Sequence, residues 1–309
     1  MAFSAEERRK YLGGSDCAAA AGMNEWQSRY QLYQQKLGLA PAFSGNAATH
    51  WGNMLEEPLR QVAARETGLR FRRSSKTFRH SQFEYCVAHV DGLHREAGLE
   101  VKTASFRSKK KFAPTGEVIM EPGEGLPLNY YCQVQWYMMI TGKSLWYVIV
   151  GILGENDIRL YKVPYNKSFA QRLLDKCTHF WEEHVLKQVP PELEFLADME
   201  AAYPRGNDET VECPQSLVVA VEQFRKCKQK QKQLQEQMAL HEAQIKGHMR
   251  EAQTLVSPST KLVLATWKDQ SRKVLDTKKL KEEQPKLTKA YELERTSRVF
   301  KLVELEEFG

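Results

Sequence analysis

An aspartate and a Glu-x-Lys triplet nine residues apart constrain this chain more than any other feature. Residues 83–92, FEYCVAHVDG, are rich in β-formers and end on Asp91-Gly92. Residues 98–103, GLEVKT, are a second β-rich segment, and the tight polar connection between the two predicts a hairpin. Side chains alternate along a strand, so Glu100 and Lys102 should share a face, and hairpin register should bring Asp91 beside Glu100. Two converging carboxylates make a hard-oxygen site suited to Mg²⁺. A lysine on the same face can orient a metal-bound water or offset charge developing on a phosphate. That is the minimal apparatus for metal-assisted phosphodiester hydrolysis. Taken alone, the same residues also describe an exposed hairpin with a surface Glu-Lys pair.

The surrounding sequence predicts a mixed α/β fold. The 309 residues, 42% hydrophobic and 27% charged, suffice for one large domain or two modest ones. Helices are expected over AEERRKYL, over the small-residue run after Gly13-Gly14 with Ser15 or Asp16 as its cap, over WQSRYQLYQQKLG and over HWGNMLEEPLRQVAARETG. NYYCQVQWYMMITG (129–142) reads as a helix, SLWYVIVGIL (144–153) and DIRLYKVP (157–164) as strands, and 166–188 as a closing helix. Residues 189–214 hold four of the twelve prolines and no strong period, as a linker would. The expected domains are therefore 1–190, a linker over 191–214, and a C-terminal part over 215–309. In that last part Phe224, Cys227, Gln231, Leu234, Met238, His241 and Ile245 form an imperfect heptad seam on a polar helical arm. The remainder predicts a strand, a basic helix and a final strand.

No apolar run reaches the roughly 18 residues a membrane span needs. The first residues, MAFSAEERRKYLGG, carry no apolar signal segment, so secretion is not expected. Cys17, Cys86, Cys132, Cys177, Cys213 and Cys227 form no CxxC pair, which argues against a disulfide scaffold or structural zinc and fits a reducing cytosol. The net charge is +6, but residues 225–301 hold 19 Lys/Arg against 9 Asp/Glu. Such a block is compatible with a nucleic-acid partner and equally with a solvated helix face.

Five blocks in order carry a resemblance: Arg8 seven residues before Ser15 in RRKYLGGSD; Trp51-Gly52-x-x-x-Glu56; Asp91-Gly92; Glu100-Val101-Lys102; and Tyr131-Cys132-Gln133-Val134-Gln135 ahead of Thr141-Gly142. Over about residues 5 to 185 the chain resembles the phage-type recombination exonucleases, the lambda exonuclease and YqaJ-like viral recombinase family of PD-(D/E)xK nucleases. Val90 stands where the family often has a small residue or proline. The resemblance implies a PD-(D/E)xK core with a central mixed sheet flanked by helices, followed here by a helical arm and a small basic α/β tail.

It also implies roles. Asp91, Glu100 and the Val101 carbonyl would ligate Mg²⁺, with Mn²⁺ as a substitute. Lys102 would position or activate the attacking water. Glu56, with Glu57 as the weaker alternative, would add a carboxylate for a second metal or through water. Gln133, with Gln135 as the fallback, would help hold the nucleophile or Lys102. Arg8, or Arg9 in its place, and Ser15 resemble a 5′-phosphate pocket. A guanidinium grips phosphate bidentately, and a glycine-serine turn at a helix start offers hydroxyl and N–H donors.

Two acid-free basic runs bracket these residues and fit a DNA track: Arg70, Arg72, Arg73 and Lys76, with Phe71 and Phe78 interleaved, then Arg107, Lys109, Lys110 and Lys111 in a Gly/Pro-rich loop. His89 reads as a half-buried strand histidine or a neighbour of the site. In the tail, Trp267, Arg272, Lys278, Lys279, Arg295 and Arg298 are further candidates for duplex contacts. The implied activity is a processive 5′-to-3′ exonuclease on double-stranded DNA ends that leaves 3′ overhangs. It would act as a homotrimeric ring beside a single-strand annealing protein, in the cytosol of a bacterial host carrying the phage or prophage. The rivals are a PD-(D/E)xK endonuclease, a helicase-associated nuclease, and a non-catalytic DNA-binding or scaffolding protein.

Overall fold

The strand expected from SLWYVIVGIL is the axis of the sheet. In the computed structural model, which describes residues 4–40, 45–294 and 296–303, β3 (Gly92–Leu93), β4 (Gly98–Ser105), β5 (Leu145–Leu153) and β6 (Asp157–Pro164) lie side by side in that order. β4 runs antiparallel to β3 and parallel to β5, and β6 returns antiparallel, so the sheet is mixed. Period-two alternation sorts β5 cleanly. Trp146, Val148, Val150 and Ile152 enter one core cluster, while Leu145, Tyr147 and Ile149 face the other.

Helices cover both faces, as a sheet buried on both sides requires. On one side lies α4 (Ala47–Thr67), started by the Asn46 side chain and ended by Gly68 in a left-handed conformation. It packs Leu59 and Ala63 against Leu99 and Ile149. On the other side lies α5 (Leu128–Thr141), buried at every position from Tyr131 to Met138. A helix buried on every face belongs between layers, and its two buried polar side chains, Gln133 and Gln135, are hydrogen-bonded. The sheet is on one side of α5; α2 (Cys17–Ala20) and α6 (Lys167–His179) touch it as well. Trp136 donates its indole N–H to the Val87 carbonyl, tying α5 to a separate two-stranded pair, β1 (Phe78–Arg79) and β2 (Val87–Ala88).

Several local expectations change. The β-rich run 83–92 does not form one strand: β2 pairs with β1 and β3 with β4, and the chain changes partner across His89–Asp91. The short α1 (Ala5–Arg9) stops before Tyr11, whose neighbour Leu12 runs parallel beside Cys86 instead. Neither Ser15 nor Asp16 caps α2 with its side chain. The Asp16 carboxylate turns back to accept the Gly13 N–H at 2.9 Å. The segment after the closing helix is partly built in, because α7 (Leu196–Ala202) carries Asp198, which is fully buried. Asp198 accepts from the Ser28 hydroxyl at 2.7 Å and from the N–H groups of Glu194 and Phe195, a local satisfaction that leaves no periodic trace.

The chain divides into two compact units, Met1–Ala202 and Tyr203–Gly309. In the second, α8 (Gln215–Met249) is the expected arm. Its seam residues Phe224, Leu234, Met238 and Ile245 remain 42–69% exposed, so no helix among the described residues covers the seam. A hairpin, β7 (Thr254–Val256) and β8 (Val263–Thr266), is followed by α9 (Thr277–Glu283) and α10 (Pro285–Ala290). No strand forms among the described residues after α10, in place of the final strand expected there; Arg295 lies outside the described residues.

Candidate active site

The hairpin sets the site. Gly92 pairs with Leu99, which leaves Asp91 one step further along, beside Glu100 and Val101. The Asp91 Oδ2 accepts the Val101 N–H at 2.8 Å. Glu100 and Lys102 lie on one face of β4, with Lys102 Nζ 2.6 Å from Glu100 Oε1. The Gln133 amide reaches the same oxygen at 2.7 Å from α5. Glu100 is only 2% exposed, and its second oxygen, Oε2, is buried without a hydrogen-bond partner among the described residues. A buried carboxylate oxygen left unsatisfied costs free energy unless something binds it.

The electrostatics agree with the geometry. Burial, reinforced by the like charge of Asp91, pushes the Glu100 carboxyl up to about 8. For Lys102, burial acts downward, but the Glu100 and Asp91 carboxylates outweigh it and hold the ammonium protonated beyond the ordinary lysine range. The donor set therefore fits a divalent cation: the unsatisfied Glu100 Oε2, the Asp91 carboxylate and the adjacent Val101 carbonyl, all hard oxygens. Among the described residues no three His, Cys, Asp or Glu side chains converge on one point. Glu56 faces the same cleft, but its Oε1 lies 3.8 Å from both Arg60 and Arg73.

This arrangement carries a pH prediction for the metal-free protein. The Glu100 carboxyl is raised in the folded state, so between its ordinary value of 4.5 and about 8 the folded chain keeps a proton that the unfolded chain releases. Stability contributed by that proton is present below the lower value and is lost as pH rises through the window. Thermal melts in EDTA from about pH 5 to about pH 9 should show the decline, and Glu100→Gln should remove it. An identical decline in that variant would contradict the assignment.

A cleft of ≈ 550 Å³ opens onto Asp91 and is lined by Arg8, Ser15, Glu56, Arg73 and His89 among others. Arg8 and Ser15 reach it because Leu12 is strapped beside β2: its N–H donates to Tyr85 and its carbonyl accepts from Val87. Arg9 instead lies against Gly38, so Arg8 is the arginine that faces the cleft. Gly14 is required by close approach, since a Cβ there would sit 2.3 Å from the Tyr137 ring. The paired alternatives separate too. Glu57 is 57% exposed at its side chain and ion-pairs with Arg60. Gln135 faces away, donating to the Pro164 carbonyl and accepting the Asn166 N–H.

The first basic run is hung directly on the hairpin that carries Asp91 and Glu100, because Arg72 exchanges both backbone hydrogen bonds with Leu93. Arg70, Arg72, Arg73 and Lys76 are exposed, whereas the interleaved Phe71 belongs to the core against Tyr147. In the second run a 3₁₀ turn, Phe106–Lys111, replaces the expected open loop. There Lys109 pairs with Glu155 and Asp157, and Lys111 pairs with Glu25. Arg107 lies over the exposed Phe106 ring, and Lys110 is exposed.

Arg60 and Tyr137 escaped the sequence reading, whereas His89 was read as a half-buried strand histidine or a neighbour of the site. Buried Arg60 donates to the Asp91 carbonyl at 2.9 Å; its spacing three and four residues after Glu57 and Glu56 was a visible signal. Tyr137 sits one turn after Gln133, and its hydroxyl accepts that amide at 2.7 Å. His89 lines the cleft and bonds the Thr77 hydroxyl at 2.9 Å, while burial holds its pKa below the usual histidine value.

Residues 5–144 match the model of the YqaJ-like viral recombinase domain. The protein YqaJ of Bacillus subtilis (strain 168), itself described as uncharacterized, is 26% identical over 288 residues, which are 90% of this chain and 86% of that one. Among solved structures, the chain is similar to an alkaline exonuclease, LHK-Exo, from Laribacter hongkongensis. That likeness has 17% identity and a TM-score of 0.45, over 63% of this chain and 95% of that one. It is also similar to a phage related exonuclease from Haemophilus somnus 129PT, with 12% identity and a TM-score of 0.42, over 58% and 96% of the two chains.

Proposed function

We propose that this chain is a Mg²⁺-dependent exonuclease acting on double-stranded DNA ends in phage-type recombination. The observation that carries the reading is the buried Glu100 Oε2, without a hydrogen-bond partner among the described residues, beside Asp91, which itself lines a cleft that also presents Arg8 and Ser15. Asp91, Glu100 and the Val101 carbonyl would hold the ion, and when bound it supplies Lewis acidity at the scissile phosphate.

The chain's own groups do the rest. Lys102 keeps a full positive charge where negative charge develops on the phosphate. Gln133 holds Glu100 Oε1, so that the carboxylate keeps one orientation while its other oxygen is left without a hydrogen-bond partner among the described residues. Arg60 anchors the Asp91 backbone. Arg8 and Ser15 would receive the 5′-terminal phosphate, and exposed Arg70, Arg72, Arg73 and Lys76 would track the backbone with little sequence preference. From the family resemblance, we extend the reading to 5′-to-3′ polarity, 3′ overhangs, a ring-shaped homotrimer and a single-strand annealing partner. A bacterial cytosol is the implied setting; no helix among the described residues is long and apolar enough to cross a membrane.

The test compares a linear duplex with a covalently closed circle, each in Mg²⁺ and in EDTA. The linear duplex should be degraded in Mg²⁺ alone, with Mn²⁺ able to substitute, and the circle should survive. Cutting of the closed circle would make the protein an endonuclease and overturn the reading.

A further inference from the structure

The loop from Arg8 to Asp16 supplies much of the proposed end-binding cleft, yet it has almost no regular structure of its own. It begins in the last turn of α1, which is only five residues long, and ends at the start of the four-residue α2. What holds it comes from outside. Lys36, in the last turn of α3 (Arg29–Leu37), points its ammonium into the loop with its side chain only 5% exposed. Nζ donates to the Arg8 carbonyl at 3.0 Å, to the Tyr11 carbonyl at 2.7 Å and to Asp16 Oδ2 at 2.7 Å. The same Asp16 oxygen accepts the Gly13 N–H at 2.9 Å.

An ammonium has three protons, and all three find acceptors in this one loop. A buried lysine is costly unless paired and fully hydrogen-bonded, and here both conditions are met. The three acceptors sit at the beginning, middle and end of the loop. Together they set the direction in which the Arg8 side chain leaves the backbone and the place where Ser15 stands. From the opposite side the loop rests on Tyr137, whose ring leaves no room for a Cβ at Gly14.

We infer that Lys36 is a positioning residue for end recognition: it touches no DNA, but it holds Arg8 and Ser15 in the geometry that receives a 5′-terminal phosphate. The inference rests on the proposed assignment of Arg8 and Ser15 to that phosphate. A lysine that merely supported the fold would affect all substrates alike. One that positions the end pocket affects phosphorylated ends selectively, because only they use the geometry it sets.

The experiment measures kcat and KM on linear duplexes bearing 5′-phosphate or 5′-hydroxyl ends for the full-length wild type, Lys36→Met and Arg8→Ala. Lys36→Met should raise KM by about tenfold or more on 5′-phosphate ends, with a much smaller change on 5′-hydroxyl ends and with kcat within about twofold of wild type. Equal losses on both kinds of end, or no loss on either, would overturn the inference. Should Lys36→Met alone not fold by circular dichroism, the double variant Lys36→Met/Asp16→Asn, which leaves neither charge buried alone, is read in the same way. Arg8→Ala separates the two ideas. If it treats both ends alike, the phosphate pocket itself fails and the inference falls with it. If it discriminates while the Lys36 variant does not, only the role of Lys36 is refuted.

Discussion

Replacing Glu100 by Gln is expected to lower the rate of nucleotide release by about two to three orders of magnitude, the scale on which a single preorganised electrostatic contact contributes to catalysis. The substitution keeps the size of the side chain and can keep a carbonyl acceptor toward Lys102 and Gln133. It removes the negative charge and puts an amide where the buried Oε2 now lacks a hydrogen-bond partner among the described residues. A divalent cation would then keep Asp91 as its one charged ligand beside the Val101 carbonyl. Two further readouts follow from the same geometry. Mg²⁺ should raise the melting temperature of the wild type and do so far less for Glu100→Gln, because a ligand that binds only the folded state stabilises it. Lys102→Ala should also lose activity, while retaining much of the Mg²⁺-induced stabilisation, since the lysine supplies charge and no ligand oxygen. A Glu100→Gln protein that degrades DNA at the wild-type rate would remove the carboxylate from the mechanism.

The second large effect is expected at Arg8. A charge-assisted hydrogen bond between a guanidinium and a phosphate contributes about 1.5–3 kcal/mol, so Arg8→Ala should weaken use of 5′-phosphorylated ends by about ten- to a hundredfold. Ends carrying a 5′-hydroxyl should lose little. Arg9→Ala is the control, because Arg9 lies against Gly38 rather than in the cleft. Measuring kcat/KM on both kinds of end for the two variants checks this, and an equal loss at both ends for Arg8→Ala would remove the arginine from end recognition.

Much of this site was legible because its residues are close in sequence and lie on one hairpin. Strand alternation alone placed Glu100 and Lys102 on one face, and the short connection placed Asp91 beside them. The buried strand at 144–153 was legible in the same way, from its apolar run, while the mixed sheet came from the family resemblance. Contacts between distant segments were not. Nothing local to Lys36 says that its ammonium ends among the carbonyls of residues 8 and 11, since that depends on how α3 packs. Asp198 looked like one acid of a linker because its partners are backbone N–H groups and a serine 170 residues away. The choices between Arg8 and Arg9, Glu56 and Glu57, and Gln133 and Gln135 needed the third dimension as well. One or two residues of helix or loop turn a side chain from the cleft to another surface.

The central claim is that Asp91 and its neighbours hydrolyse DNA from an end. Its most direct test is the release of labelled nucleotides from a linear duplex with a 5′-phosphate and label in the 5′-ended strand. Wild type and Asp91→Ala are compared in Mg²⁺, with wild type in EDTA alongside. The account predicts steady release by the wild type in Mg²⁺, and none above background either by Asp91→Ala or in EDTA. Release by Asp91→Ala at the wild-type rate, or release by the wild type that persists in EDTA, would contradict it.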